Sequence, residues 1–184
     1  KNTDRSNSLW MTPIEGSKAL FVTEDPLDAI AHSQLFPGAR YAYLCTGGTS
    51  TKAQREMIHS FSQKFKLPII LGNDNDLAGQ LENFKLAYHT ANIEYAINSK
   101  TQRVLLTVNG AEREWGKDEI VAALQAVMKQ RPNMILSIPW AKDWNDDLRS
   151  SKKSISLRIA ENMARVQIET TKSEQRGMIA GKLP

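Results

Sequence analysis

The chain has 184 residues, of which 41% are hydrophobic and 24% are charged, so its composition is typical of a globular protein and excludes global disorder. Its one cysteine, Cys45, excludes an intramolecular disulfide framework and a multi-cysteine zinc site. The longest apolar runs, such as residues 67–71, are too short to cross a bilayer, and no secretory signal opens the sequence. We therefore expect a cytoplasmic protein without a membrane partner and, because residue 1 is not Met, a piece of a larger parent protein.

The net charge of +4 is unevenly distributed along the chain. From Arg149 onward, eight lysines and arginines accompany three glutamates, a balance of +5, so the other 16 basic and 17 acidic residues leave residues 1–148 at −1. A basic tail is compatible with nucleic-acid binding, but a solvated helix surface is its more common explanation. The charge alone is weak evidence for a nucleic-acid partner.

The predicted elements alternate between strands and helices along most of the chain. The polar lead-in at residues 1–18 contains one apolar spot, Leu9–Met11, which predicts a short edge strand. Because helical patterns separate the apolar runs that follow, the rhythm predicts an α/β fold with an open, mainly parallel sheet of four core strands. These strands are predicted at residues 19–23, 40–45, 67–71 and 134–138.

The helices are predicted from apolar spacing and from start signals. The first follows Pro26 and carries Leu27, Ile30, Ala31 and Leu35 at helical spacing. The second follows a capping-box pattern made by Thr51 and Gln54. Further helices are predicted at residues 77–88, 120–128 and 154–168.

The alternation breaks between Ile93 and Trp115, where two β-prone runs predict a hairpin and Asn109-Gly110 is a second turn signal. We expect this insertion to decorate an exposed sheet edge, and a partner or strand-guiding surface is the alternative. The predicted organisation is a lead-in at 1–18, an α/β domain at 19–148 with the insertion at 93–115, and a basic C-terminal helix and tail at 149–184.

Acidic side chains recur directly after three of the predicted core strands. Since the carboxyl ends of parallel strands line the ligand crevice, we expect these acids to converge and to need a cation. Oxygen ligands without His or Cys suit Mg²⁺ or Mn²⁺, which support phosphoryl chemistry. Each group taken alone is also compatible with a helix cap, a turn or a solvated helix start. The groups are Glu24, then Asp74 and Asp76, then Asp143, Asp146 and Asp147.

Other chemistries find little support in the sequence. Cys45 lies in a predicted core strand and is expected to be buried and inert, and the three histidines have no evident catalytic partner. The loop Gly47-Gly48-Thr49-Ser50 would present N–H groups to a phosphate, although Lys52 lies inside the next helix and no Walker pattern is present. Trp140 and Trp144 flank the third acidic group and are expected to cover the end of the sheet.

Four segments in order resemble motifs of the Toprim domain, the metal-dependent module of bacterial-type primases, type IA and type II topoisomerases and some nucleases. A strand that ends in Glu corresponds to residues 21–29, the glycine-containing loop to residues 44–49, and Asp-x-Asp-x-x-Gly to residues 74–79. Residues 142–146 resemble the Lys-Asp-x-Asn-Asp segment of primase-like members. The closest resemblance is to the subgroup found on plasmids and conjugative elements, and it implies a Rossmann-like Toprim fold over residues 8–148.

The resemblance also implies roles for individual residues. Glu24 would act as a metal ligand or a general acid/base, Asp74 and Asp76 would be catalytic metal ligands, and Asp28 would complete the cluster. Asp25 stands where the family commonly has a small residue, which leaves open whether one or two Mg²⁺ or Mn²⁺ ions bind. The other implied residues are Asp143, Asn145 and Asp146 for a second metal, and Gly47, Gly48, Thr49, Lys52 and Lys142 for phosphate or nucleic acid.

The function that the resemblance implies is Mg²⁺-dependent nucleotidyl transfer on DNA, foremost primer synthesis within a larger mobile-element protein. The implied partners are single-stranded or template-primer DNA, nucleotides and other domains of the parent protein. A nicking nuclease is the alternative enzyme, because the same carboxylates can activate water. A non-catalytic module that only binds or docks on nucleic acid is the alternative outside catalysis.

Overall fold

A computed structural model describes residues 5–151 of the chain, and the helix predicted at 154–168 lies outside them. Eight strands and five α-helices follow a short 3₁₀ turn in the described part. The strands are β1 (Trp10–Met11), β2 (Ala19–Thr23), β3 (Tyr41–Cys45), β4 (Ile69–Leu71), β5 (Ile93–Asn98), β6 (Arg103–Val108), β7 (Ala111–Gly116) and β8 (Met134–Leu136). The helices are α1 (Pro26–Leu35), α2 (Lys52–Phe65), α3 (Leu77–Ala87), α4 (Lys117–Gln130) and α5 (Trp144–Ser151).

The main sheet has five strands in the order β1-β3-β2-β4-β8. Its four core strands are parallel, and β1 pairs with the outer edge of β3 in the antiparallel direction. The predicted fold class, α/β with an open and mainly parallel sheet, is therefore confirmed, and so is the edge strand. Because β2 and β4 are central neighbours, the residues that follow them meet in the middle of the carboxyl edge.

Hydrophobic side chains cover both faces of the main sheet. Alternate strand residues such as Leu20 and Val22 pack with Ile58 of α2, Leu81 of α3 and Leu124 of α4. The opposite side chains, among them Phe21 and Tyr43, pack against α1 and Trp144 of α5. The sheet is therefore the middle of three layers, which explains why its strands are apolar runs rather than alternating patterns.

Helix α1 buries a different face from the one that its apolar spacing predicts. Leu27 and Ile30 are 62% and 44% exposed, whereas Ala29, Ala31 and His32 are buried. Small alanines allow α1 to lie close to the sheet, so the larger apolar side chains are left on the solvent side. The prediction of the helix is confirmed, and Ala31 and Leu35 of its predicted stripe pack in the core, but the placement of Leu27 and Ile30 on the buried side was wrong.

The insertion is a three-stranded antiparallel sheet, β5-β6-β7, rather than a hairpin. Asn109, with φ of 51°, and Gly110, with φ of 85°, form the tight turn that joins β6 to β7. Val104 and Leu106 of β6 are fully buried in the core shared with α3 and α4. The small sheet is thus packed onto the domain, and the predicted hairpin lacked its third strand.

The segment after β8 forms helix α5, where the sequence offered a solvated helix start only as an alternative interpretation of the acidic residues. α5 begins at Trp144, packs on α1 and runs across the predicted boundary at residue 148. Trp144 is buried and donates from Nε1 to the carbonyl oxygen of Gly72 at 2.7 Å. Trp140 is 52% exposed, so only one of the two tryptophans covers the end of the sheet. Within residues 5–151, no helix combines the length and the apolar character that a membrane span requires.

Candidate metal centre

Acidic residues at the carboxyl ends of the strands start the helices that follow. Asp25 caps α1 by accepting the N–H of Leu27 at 2.7 Å. Asp76 caps α3 by accepting the N–H of Gly79 at 2.9 Å, and Asp143 accepts the N–H of Asp146 at 2.8 Å at the start of α5. Capping satisfies backbone donors that the helix itself cannot, and it fixes the position of each carboxylate. The extra acid at position 25 is therefore an exposed helix cap.

Five carboxylates lie close enough at this edge to influence one another's ionisation. The pKa of Asp74 is raised from 3.8 to about 7, first by burial and then by the charges of its carboxylate neighbours, with Asp28 the strongest. The pKa of Glu24 is raised mainly by burial and then by Glu82, Asp76 and Asp25, and Lys142 opposes the shift. Like charges this close favour a proton or a cation between them. The structure thus brings together Glu24, Asp28, Asp74, Asp76 and Asp143.

Asp28 belongs to this group although it comes from within α1. Its pKa is raised to about 6, chiefly by burial and then by Asp143, while hydrogen bonds from Asn145 oppose the shift. The side-chain amide of Asn145 donates to Asp28 Oδ1 at 3.0 Å across the α1–α5 contact. Asn145 therefore holds Asp28 in place, and its amide nitrogen is engaged there. Asp146 lies farther along α5, with Oδ1 3.6 Å from Arg149.

The segment Asp74-Asn75-Asp76 is held on both sides by backbone contacts. The N–H of Asn75 donates to the carbonyl of Lys142 at 2.7 Å, and its side chain donates to the carbonyl of Pro139 at 3.1 Å. A Cβ on Gly79 would lie 2.3 Å from the carbonyl oxygen of Asp74, so only glycine allows this close approach. These contacts explain the glycine of the motif and tie the loop after β8 to the loop after β4.

The glycine loop after β3 lies beside Glu24. The N–H of Gly47 donates to the carbonyl of Glu24 at 2.8 Å, and Gly47 and Gly48 have φ of 71° and 116°. At the other end of the loop, the N–H and hydroxyl of Ser50 are both taken by Glu82. The loop therefore lies beside the carboxylates. Ser50, the residue before the α2 cap, already donates both of these hydrogen bonds to the Glu82 carboxylate, which occupies the place of an anionic ligand there. Thr49 is exposed.

The two lysines proposed for phosphate binding differ in their surroundings. Lys142 is largely exposed and lies 3.9 Å from Asp76 Oδ2 at the carboxylate group. Lys52 is also exposed, but its partner is Glu56 one turn along α2. The geometry therefore connects Lys142, and not Lys52, with the acidic group.

A second charged network next to the site was missed by sequence reasoning. Glu82 and Lys85 form an ion pair whose side chains are only 8% and 5% exposed. Glu82 also accepts the N–H and the hydroxyl of Ser50, and Lys85 lies 5.0 Å from the ring centre of Tyr95. The i, i+3 spacing of a Glu and a Lys was the only sequence signal, and it is typical of exposed helix faces. This network fixes the glycine loop relative to α3.

The donor chemistry of the carboxylate group fits a hard divalent cation. The five carboxylates outnumber the nearby lysines, which are Lys142 beside Asp76 and Lys117 on Asn75, and oxygen ligands of this kind suit Mg²⁺ or Mn²⁺. Within residues 5–151, however, no three His, Cys, Asp or Glu side chains already lie in a metal-binding arrangement. Asp76 and Asp143 each direct one oxygen to a helix start, which accounts for the open arrangement.

The buried nucleophile and imidazole candidates lie away from this chemistry. Cys45 is buried, its Sγ lies 3.1 Å from the Thr23 hydroxyl, and burial raises its pKa to about 12. His32 is buried among aromatic rings, and burial lowers its pKa to about 3. His59 and His89 stack on each other with ring centres 3.4 Å apart, and burial lowers both pKa values. The expectation that Cys45 is buried is confirmed.

Comparison with known proteins supports the family resemblance. The model of the family described as Toprim-like matches residues 21–103, which include Glu24, the glycine loop and the segment 74–79. A search of the curated proteins and a search of the solved structures found no match. The family match ends before residues 142–146, the segment that carries the primase-like resemblance. Residues 21–103 are thus similar to the Toprim-like family, and the α/β fold with its mainly parallel sheet is consistent with that similarity.

Proposed function

We propose that this protein is a Mg²⁺-dependent nucleotidyl-transfer module that acts on DNA, with primer synthesis as its reaction. The observation that carries the proposal is the group of five carboxylates at the carboxyl edge of the sheet, where burial and then the charges of neighbouring carboxylates raise the pKa of Asp74 to about 7. The similarity of residues 21–103 to the Toprim-like family supports a metal-dependent function on nucleic acid. The primase-like resemblance of residues 142–146 supports primer synthesis over other reactions of that class.

Each residue of the group would contribute in a distinct way. Asp74 and Asp76 would hold the cation, together with Glu24, because their carboxylates converge from neighbouring strands. Asp28 and Asp143 would hold a second ion. When bound, the metal would neutralise phosphate charge and activate the attacking oxygen.

The other side chains would bind and orient the substrate. Lys142, exposed beside Asp76, is placed to pair with a phosphate oxygen of the nucleotide or the strand. The raised pKa of Glu24 suits its carboxylate for accepting a proton from an attacking hydroxyl. Gly47 and Gly48 leave the backbone uncovered next to Glu24, so a nucleotide would be able to approach the backbone closely there.

Calorimetric titration with Mg²⁺ and Mn²⁺ tests the metal site directly. The variant Asp76→Asn removes one charge but keeps a residue that caps α3 well, so its loss of binding would report on the cluster rather than on folding. We expect saturable binding by the parent chain and at least tenfold weaker binding by the variant, roughly 1.4 kcal/mol. Glu112→Gln, on the exposed strand β7, is the matched control and should bind like the parent.

Assays on a labelled single strand with nucleotides then separate the reactions. Longer products that disappear in Asp76→Asn would support primer synthesis, and shorter products would instead support the nuclease alternative. Metal-independent DNA binding with neither product would overturn the catalytic proposal and favour a binding module.

A further inference from the structure

We propose that Trp10 and Trp140 form a base-stacking platform for single-stranded nucleic acid on either side of the carboxylate group. Both side chains are large, aromatic and exposed, at 43% and 52% respectively. The inference deepens the proposed function and rests on it, because the strand would pass over the same carboxylates.

Trp10 is fixed at one end of the carboxyl edge of the sheet. It lies opposite Cys45, the last residue of β3, in the antiparallel pair with β1. The side-chain amide of Gln54 donates to the carbonyls of both Ser8 and Thr46, which holds the lead-in beside the glycine loop. The N–H of Gly47 in that loop donates to the carbonyl of Glu24, so a series of hydrogen bonds connects the lead-in that carries Trp10 to the site.

Trp140 is fixed at the other end. It lies between Pro139 and Lys142, whose carbonyls both accept hydrogen bonds from Asn75 in the centre of the acidic motif. Its own N–H donates to Asp147 Oδ2 at 2.8 Å, so the backbone of Trp140 is anchored while its ring remains exposed. Trp144, four residues later, is the tryptophan of this segment that packs in the core. Trp140 lies outside that core, and its ring is exposed.

The chemistry of the two rings selects an unpaired strand. A tryptophan face stacks on any base whose own face is exposed, and paired bases inside a duplex do not expose theirs. β1 and β8 are the two edges of the five-stranded sheet, so about four inter-strand spacings, roughly 19 Å, separate them. Lys142 beside Trp140 supplies a cation for the backbone of such a strand. The occupant that fits is therefore a short single strand, held by its bases at both ends and by its phosphate near the carboxylates.

Quenching of tryptophan fluorescence by oligo(dT), with a duplex of the same length as comparison, tests the platform. Trp10→Leu and Trp140→Leu keep an apolar side chain but remove the stacking face, and Trp140→Phe restores an aromatic ring. We expect each Leu variant to bind the single strand about five- to a hundredfold more weakly, with unchanged duplex binding and partial recovery in the Phe variant. Leu105→Ala, a 41% exposed apolar residue on the small sheet, is the control and should bind like the parent chain.

The titrations are run in EDTA and in Mg²⁺, so that the platform and the catalytic proposal can fail separately. Stacking that persists in EDTA in a chain without primer synthesis would support the platform and count against the proposed function. Primer synthesis and single-strand affinity that are unchanged in both Leu variants would overturn the platform and leave the function standing. A parent chain that does not bind oligo(dT), or that prefers the duplex, would also overturn it.

Discussion

Two acidic centres lie on either side of the glycine loop and are stabilised in opposite ways. Glu82 is buried, and three donors, the Lys85 ammonium and the N–H and hydroxyl of Ser50, surround its carboxylate. Asp74 is half-buried among other carboxylates, and among residues 5–151 no side chain or N–H donates to its two carboxylate oxygens. A carboxylate with complete internal partners supports the fold, whereas one surrounded by like charges is available for a ligand.

The largest expected change in stability comes from removing the Glu82 carboxylate, whose hydrogen-bonding partners are all inside the protein. Glu82→Ala would leave the Lys85 ammonium buried without its partner and the Ser50 donors without an acceptor, so the free energy of unfolding should fall by about 3–5 kcal/mol. Chemical denaturation measures this loss. The exposed pair of Lys52 and Glu56 is the control, and Glu56→Ala should change stability by less than about 1 kcal/mol. Similar losses in the two variants would contradict the distinction between buried and exposed pairs.

A smaller loss of stability should follow from displacing the segment that carries Asp74. Gly79→Ala would place a Cβ against the backbone of Asp74, and relief of that contact requires the acidic segment to move. We expect a loss of about 1–3 kcal/mol in denaturation, together with weaker Mn²⁺ binding. Gly38→Ala, where an added Cβ meets nothing within 4 Å, provides the comparison. Unchanged metal binding in a folded Gly79→Ala chain would show that the position of Asp74 does not determine affinity.

The smallest effect is a gain of stability on removing a charge. Because the folded-state pKa of Asp74, about 7, lies above its ordinary value of 3.8, its contribution to stability is fully present below about pH 4 and is lost as the pH rises through 7. Asp28, with a pKa of about 6, acts in the same direction. In EDTA, stability should therefore fall from pH 5 to pH 8, and Asp74→Asn should reduce that fall and raise Tm at pH 8 by about 2–4 °C.

Adding Mg²⁺ to both chains completes this test. The parent chain should gain stability with the cation and Asp74→Asn should gain less, because a ligand that binds only the folded state stabilises it. A variant that is less stable than the parent at pH 8 in EDTA would contradict the view that burial and neighbouring charges make the ionised Asp74 carboxylate unfavourable in the folded chain.

The local patterns of apolar residues and helix-start signals in the sequence predicted most of the fold. The apolar runs marked the core strands because both faces of a central parallel sheet are buried, and the Thr51–Gln54 capping box formed as its spacing predicts. The sequence pattern predicted the wrong result where packing between distant segments decides which side chains are buried or which segments pair as strands. Leu27 and Ile30 read as a buried stripe, but α1 approaches the sheet through alanines, and β7 has the polar sequence of an outer strand.

For the site, the sequence by itself determined which acids follow the strands, because strand ends and the Asp-x-Asp-x-x-Gly spacing are local features. Only the tertiary structure decided that Asp25 is a helix cap, that Asn145 holds Asp28, and that Lys142 rather than Lys52 meets the acids. It also decided that Glu82 is buried and that Trp140 is not. Burial and charge proximity arise from segments far apart in the chain, and these two quantities separate a structural carboxylate from one that is free to bind a metal.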